Sequence, residues 1–308
     1  MKFFKHNILA IALLSCAYGF AQQAPQFTQY MYNTISINPA YAGSRDALSI
    51  VGLHRSQWVG FKGGPITQTL SIHSPLRNDR IGLGLSFIKD DLGPQNFTYV
   101  YGDFSYSIPT GRNGNLAFGI TAGFTQFSFD SSFRLDGDNP NDPLIYGTED
   151  RWAPNIGAGV YWSTDRFYFG LSTPRILNND SHTENGYEAL ERISYYFTGG
   201  VVLDLSERFK FKPAFLIKAT NGAPVSYDLT ANFLYNEKFW IGGSYRINRE
   251  TAAIGGIVDF QISRQLRIGY AYEKPISEIA RYTTGTHELL LMYEFKFMST
   301  KLKSPRYF

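Results

Sequence analysis

From Ala47 onward the bulky apolar side chains recur at every second residue, the period of a β-strand and not the 3.6 of a helix. Between Thr286 and Phe297, the residues Leu289, Leu291, Tyr293, Phe295 and Phe297 fall on one face. Glu288, Leu290, Met292, Glu294 and Lys296 fall on the other. The same alternation sets Ile254, Gly256, Val258, Phe260 and Ile262 against Ala253, Gly255, Ile257, Asp259 and Gln261. It also sets Phe209, Phe211, Phe215 and Ile217 against Lys210, Lys212 and Lys218. A soluble sheet can alternate in this way too. The return of Phe, Tyr, Ile and Leu to one face in strand after strand points instead to a sheet with lipid on that side.

Fourteen strands are expected, at 47–54, 66–74, 80–90, 96–108, 114–128, 153–163, 166–173, 192–204, 209–219, 225–235, 239–247, 251–262, 265–273 and 286–298. An even number brings both ends of a bacterial single-chain barrel to the same side. Every second connection is short, at 75–79, 109–113, 164–165, 205–208, 236–238 and 263–264, whereas 128–152, 174–191 and 274–285 are long. Short turns on one rim and long loops on the other suit an outer-membrane barrel with its short turns in the periplasm. A β-sandwich has no reason to alternate in this way. The fold class is therefore all-β, a transmembrane antiparallel β-barrel of about 14 strands. In this phase Leu291 faces hydrocarbon and Leu290 the lumen, so an arginine is expected to cost less at 290. Glycine pairs inside strands, such as Gly82/Gly84, Gly157/Gly159 and Gly255/Gly256, read as points of curvature.

Composition agrees. Charged residues make up 18% of the chain, below the ~25% usual for soluble domains, and aromatics 16%. No apolar run beyond the first 21 residues approaches the ~20 needed for a membrane helix. Residues 1–21 read as a signal peptide: Lys2 and Lys5, an apolar core over 8–17, then the small Gly19 and Ala21 before a cut at Gln22. The cut removes two lysines and no acid, taking the formal net charge from +3 to +1, with no electrostatic case for nucleic acid. Cys16, the only cysteine, follows Leu13-Leu-Ser15 in a weak likeness to a lipoprotein box, but reads more simply as part of the signal core.

Residues 22–46 stand outside the alternation. Phe27, Tyr30, Tyr32 and Tyr41 are too many aromatics for a disordered leader. Asn38-Pro39 and Ala42-Gly43 supply bends. An ordered plug-like segment in the barrel is expected, with docking onto a periplasmic partner as the other reading. The expected division is 22–46 as this segment, 47–298 as the barrel and 299–308 as a tail.

Catalytic chemistry finds little support. His287-Glu288 lacks the second histidine of a zinc protease, since Leu stands at 291, and reads as a strand with a lumen-facing histidine. No Gly-x-Ser-x-Gly elbow occurs. Asp136-Gly-Asp-Asn-Pro-Asn-Asp142 has oxygens for calcium but not the EF-hand spacing, and reads as a solvated outer loop. No enzyme, metal or cofactor is expected. Trp58 and Phe61, in the first outer loop, suit either interfacial anchoring or a partner contact.

Gln29-Tyr-Met-Tyr-Asn33 with Asn38-Pro-Ala-Tyr-Ala-Gly43 resembles the PorP/SprF family of the Bacteroidetes type IX secretion and gliding-motility system. The resemblance continues at Gln57-Trp58, Gly60, Gly64-Pro65 and Thr67, at Tyr227-Asp-Leu-Thr-Ala-Asn232 and at Thr286-His-Glu-Leu-Leu-Leu291. It implies an outer-membrane barrel that helps secrete or anchor adhesins carrying a C-terminal sorting domain. The implied partners are the secretion translocon, periplasmic components and outer-membrane lipid. It marks Trp58, Phe61, Gln29, Tyr30, Asn38, Pro39 and Tyr41 as partner-binding candidates. The competing reading is a transport barrel for small apolar solutes.

Overall fold

The computed structural model describes residues 25–111, 113–130, 150–177, 192–249 and 251–295. The signal-peptide reading, Cys16, the acidic loop at Asp136-Asp142 and the expected tail lie outside them.

The strands are β1 Leu48–Val59, β2 Ile66–Pro75, β3 Ile81–Leu92, β4 Gln95–Thr110, β5 Gly114–Phe129, β6 Arg151–Ser163 and β7 Phe167–Thr173. They continue as β8, Ser194–Val201 resumed at Leu203–Asp204, then β9 Phe209–Thr220, β10 Ser226–Tyr235 and β11 Phe239–Ile247. The last three are β12 Ala252–Gln261, β13 Leu266–Pro275 and β14 Gly285–Phe295. Each pairs antiparallel with its neighbours in sequence, and β14 pairs with β1 from Leu48↔Phe295 to Ser56↔His287. That last pairing closes the sheet. A closed barrel leaves no strand edge without hydrogen-bond partners, the condition for crossing hydrocarbon with strands.

Side chains alternate across the wall as the sequence requires. Leu289, Leu291 and Phe295 are exposed on the outside, while Glu288, Leu290, Met292 and Glu294 are buried inside. In β9 the lysines Lys212 and Lys218 are buried inside. Chain direction fixes the rims: the connections at 76–80, 164–166, 205–208, 236–238 and 262–265 share one rim, and 60–65, 93–94, 221–225 and 276–284 the other.

One expectation about facing changes, and one about cost. His287 has the outward phase: its Nδ1 lies 2.7 Å from the Tyr270 hydroxyl, and its ring packs on Tyr272. The phase that turns Glu288 inward turns His287 outward, so it is not a lumen residue. Leu290 does face inward, but it is fully buried in a cluster with Phe27, Tyr30 and Met31. Leu291→Arg should cost ~2–4 kcal/mol if it sits near the bilayer midplane. Leu290→Arg should cost no less, because it buries a guanidinium among apolar side chains. Heat-resistant folded barrel should fall for both, and deletion of residues 26–43 should rescue only the variant at 290. Rescue of both, or of neither, would contradict this packing.

Candidate functional site

The chain ahead of β1 folds into three short turns, Tyr30–Tyr32, Thr34–Ser36 and Pro39–Tyr41. Too short for ordinary helices, they satisfy their backbone by tight three-residue bonds, such as Tyr32 N–H to the Gln29 carbonyl at 3.0 Å. Asn38, extended as a residue before proline must be, sets up the third turn: its side-chain oxygen accepts from Ala40 N–H at 3.0 Å, and Pro39 takes the first position. Gly43, with φ of +75°, ends the segment. A Cβ there would also stand 2.7 Å from Gly82 Cα in the wall.

The segment packs against inward-facing groups of the wall. Glu288 of β14 accepts from the backbone amides of Thr28 and Gln29 at 2.8 and 2.7 Å. Arg55 of β1, 2% exposed, joins Glu288 at 2.9 Å, Glu273 at 2.7 Å and the Thr28 hydroxyl at 2.8 Å. Arg246 links Glu273 to Asp228, and Asp228 accepts from the Gln26 amide at 3.2 Å. Farther along, the Tyr32 hydroxyl donates to Asp259 at 2.6 Å, and the Asn33 amide to Thr69 at 3.0 Å. Asn38 donates to the Val160 carbonyl at 3.0 Å; Ser172 and Ser105 donate to the Ile37 and Ala42 carbonyls at 2.7 and 2.6 Å. Tyr41 stands edge-on to His73 and Tyr161, each at 5.3 Å. Arg45 pairs with Glu294 at 2.7 Å.

Burial raises the Tyr30 and Tyr32 phenols well above their ordinary value, with the neighbouring Asp259 adding to the effect at Tyr32. Burial opposes charge on Arg45, but Glu294 outweighs it and keeps the guanidinium protonated.

The wall makes room for this backbone with glycine. A Cβ at Gly119 would lie 2.2 Å from Ala40 N, one at Gly82 2.1 Å from the Ala42 carbonyl oxygen, and one at Gly159 2.2 Å from Asn38 Oδ1. These distances are impossible for a real side chain, so the inward glycines serve close approach, where sequence reasoning had assigned curvature. A second stretch uses the same device: a Cβ on Gly157 would lie 2.2 Å from the Pro174 carbonyl oxygen, and Asn155 bonds the backbone of Ile176 and Leu177.

Trp58 and Phe61 lie at the opposite rim from the short turns. A register shift between Ser56 and Val59 marks a bulge at the end of β1. Trp58 sits in it at φ +56°, an uncommon backbone for a bulky residue, with its N–H 3.3 Å from Thr286 Oγ1. Its ring meets Phe61 edge-on at 6.4 Å, and Phe61 is exposed. The Thr284 amide ties this loop to the next by donating to the Val59 carbonyl at 2.8 Å.

Of the residues singled out from the sequence, Gln29, Tyr30, Asn38, Pro39 and Tyr41 thus come together buried, while Trp58 and Phe61 stand apart at the rim. Arg55, Glu273, Arg246 and Asp228 were missed. Their signal was present: charges of both signs at inward phases of neighbouring strands, with Arg55 opposite Glu288 in the β1–β14 register.

The sequence matches the family model for the type IX secretion system membrane protein PorP/SprF over residues 19–293. The chain belongs to this family. No curated relative matches it. Among solved structures, the CymD monoaromatic hydrocarbon channel is similar at a TM-score of 0.53 and 11% identity, over 91% of this chain and 95% of that one. A Pseudomonas aeruginosa FadL homologue has a TM-score of 0.46 and 14% identity, over 89% and 95%. Acinetobacter baumannii Omp33 has a TM-score of 0.46 and 12% identity, over 81% and 98%. At such identity the CymD likeness is one of barrel fold alone.

Removing one partner of a buried ion network strands the others, at a cost of ~3–5 kcal/mol. Glu288→Ala in this PorP/SprF barrel should lower the urea midpoint accordingly and expose residues 25–46 to protease. Leu291→Ala on the outer face should leave that segment protected. Equal protection in both variants would remove Glu288 from this role.

Proposed function

We infer that this PorP/SprF chain is an outer-membrane barrel of type IX secretion whose N-terminal segment, residues 25–46, plugs its own lumen. Its outer rim receives adhesin cargo carrying a C-terminal sorting domain, and the short-turn rim faces the translocon and periplasmic components. The observation that carries the reading is the seat at Glu288, where two backbone amides and Arg55 converge on one buried carboxylate. Backbone held in this way is specified by the wall and is not merely lying in it. A barrel filled by its own chain is suited to presenting a surface rather than passing solutes.

Trp58 and Phe61 are the cargo-contact candidates, being aromatic and held on a strained bulge at the outer rim. Gln29, Tyr30, Asn38, Pro39 and Tyr41 could meet a partner only by leaving their seats. In the buried state their role is to hold the segment.

Two experiments test this. Deleting residues 26–43 should give a barrel that folds but conducts ions in a planar bilayer far better than the parent. Unchanged conductance with loss of a periplasmic partner would favour docking over plugging. Separately, Trp58→Ala with Phe61→Ala should weaken capture of cargo sorting domains by ~2 kcal/mol or more, the scale of an interface hot spot, without changing conductance. Full capture by that variant would place the contact elsewhere.

A further inference from the structure

The outer wall carries a trough that the secretion reading does not use. Pro213 of β9 has no N–H to give to the ladder, and the adjacent β8 is interrupted at Val202. Beside this break lies a concavity of about 670 Å³ on the outward face, floored at Val201 and Pro213. At its β6–β7 end stands an aromatic stack, with the Trp162 ring 5.9 Å from Phe167 and 6.2 Å from Phe169. Phe215 and Leu229, in the register row of Phe169, form one long side. Gly199 lets Phe169 and Phe215 close over it from both sides, since a Cβ there would stand 2.8 Å from each ring.

The register extends the floor. Pro213 pairs with Ala231, Ala231 with Gly243, and Gly243 with Gly256. A Cβ on Gly256 would meet nothing within 4 Å, so the space above that end of the floor is open. The flanking rows are bulky: Phe215, Leu229, Tyr245 and Ile254 on one side, Phe211, Phe233, Ile241 and Val258 on the other. None of these residues is charged.

The geometry points to a binding site for one acyl chain of a phospholipid in the periplasmic leaflet. The trough is continuous with the membrane-facing surface, so its occupant is apolar. The flanking rows are four residues apart on each strand, about 13 Å between backbones at ~3.3 Å per residue, before their side chains narrow the gap. A helix of about 10–12 Å diameter does not enter between those rings, whereas a single hydrocarbon chain does. The leaflet follows from depth: Phe167 opens β7 directly after the short turn at 164–166, on the rim assigned to the periplasm. A chain leaving bulk lipid gains no hydrophobic energy here. Its gain is the denser packing against a rigid aromatic wall, which marks a retained lipid off from a passing one.

The full-length barrel is reconstituted in phosphatidylethanolamine vesicles doped with a phospholipid bearing a diazirine in mid-chain. Adducts are then mapped by peptide mass spectrometry. Labelling at Val201, Phe215 and Leu229 should exceed that at Leu85 and Leu291, on the same outer face, by about tenfold. Val201→Phe should abolish the excess, and Leu85→Phe should leave it. Labelling spread evenly around the wall overturns the site, as does an unchanged excess in Val201→Phe. Should that variant fail to fold, the map of the parent protein still decides. Lipid A in place of phospholipid, on barrel purified from outer membrane, would overturn the leaflet assignment.

Discussion

Hydrocarbon offers no hydrogen-bond partner, so every backbone amide and carbonyl within the membrane must find one in the protein. For a chain that crosses by strands, this requires a sheet without edges. The pairing of β1 with β14, ten residues of β1 in register with β14, meets that requirement. Much else follows from it. Closing 14 strands creates an inside that is larger than side chains alone can fill. The segment at 25–46 sits against that inside, and the wall is modified to receive it: glycine where backbone approaches, serine where a carbonyl needs a donor, and a carboxylate where two amides do.

The charges inside are explained by the same demand. Arg55, Glu288, Glu273, Arg246 and Asp228 form one chain of contacts across β1, β14, β13, β11 and β10. A buried ion pair is weak as a source of stability, because desolvation consumes most of its Coulomb energy. It is strong as a device for position, because each charge has a penalty for being anywhere else. Glu288 shows the use: it would need Arg55 in any case, and its remaining lone pairs fix the register of Thr28 and Gln29.

The barrel was legible in the sequence because its determinant is local. A period of two can be read within ten residues, and Phe239–Ile247 has the limits that pattern gave. Where the determinant is a partner distant in sequence, local reading stops short. The first strand was expected to end at 54 but continues to Val59, since pairing with β14 carries it through a bulge whose residues do not alternate. Gly82, Gly119 and Gly159 look like any strand glycine until Ala42, Ala40 and Asn38 are placed above them. Leu290 was assigned a lumen, which was right in direction, but only the fold shows Phe27 and Met31 occupying that side. Trp58 and Phe61 were singled out as exposed aromatics; Phe61 is exposed but Trp58 is half-buried, and the strained backbone that presents it has no signature in composition.

The same residue type therefore has different meanings at different places in this wall. Inward, at Gly82, Gly119 and Gly159, the space is filled by the backbone or side chain of the N-terminal segment. Outward, at Gly243 and Gly256, it is open, whereas outward at Gly199 it is taken by the rings of Phe169 and Phe215. Phase together with the neighbours in register decides, so a substitution of glycine by a larger residue should be judged by both before its size. The extent of the family match adds to this. It begins at residue 19 and ends at 293, taking in the segment with its Asn-Pro turn together with the strands that receive it. Backbone seated where the wall can have no side chain is tied to it sterically: a larger residue at Gly119 or Gly82 would force that backbone to move.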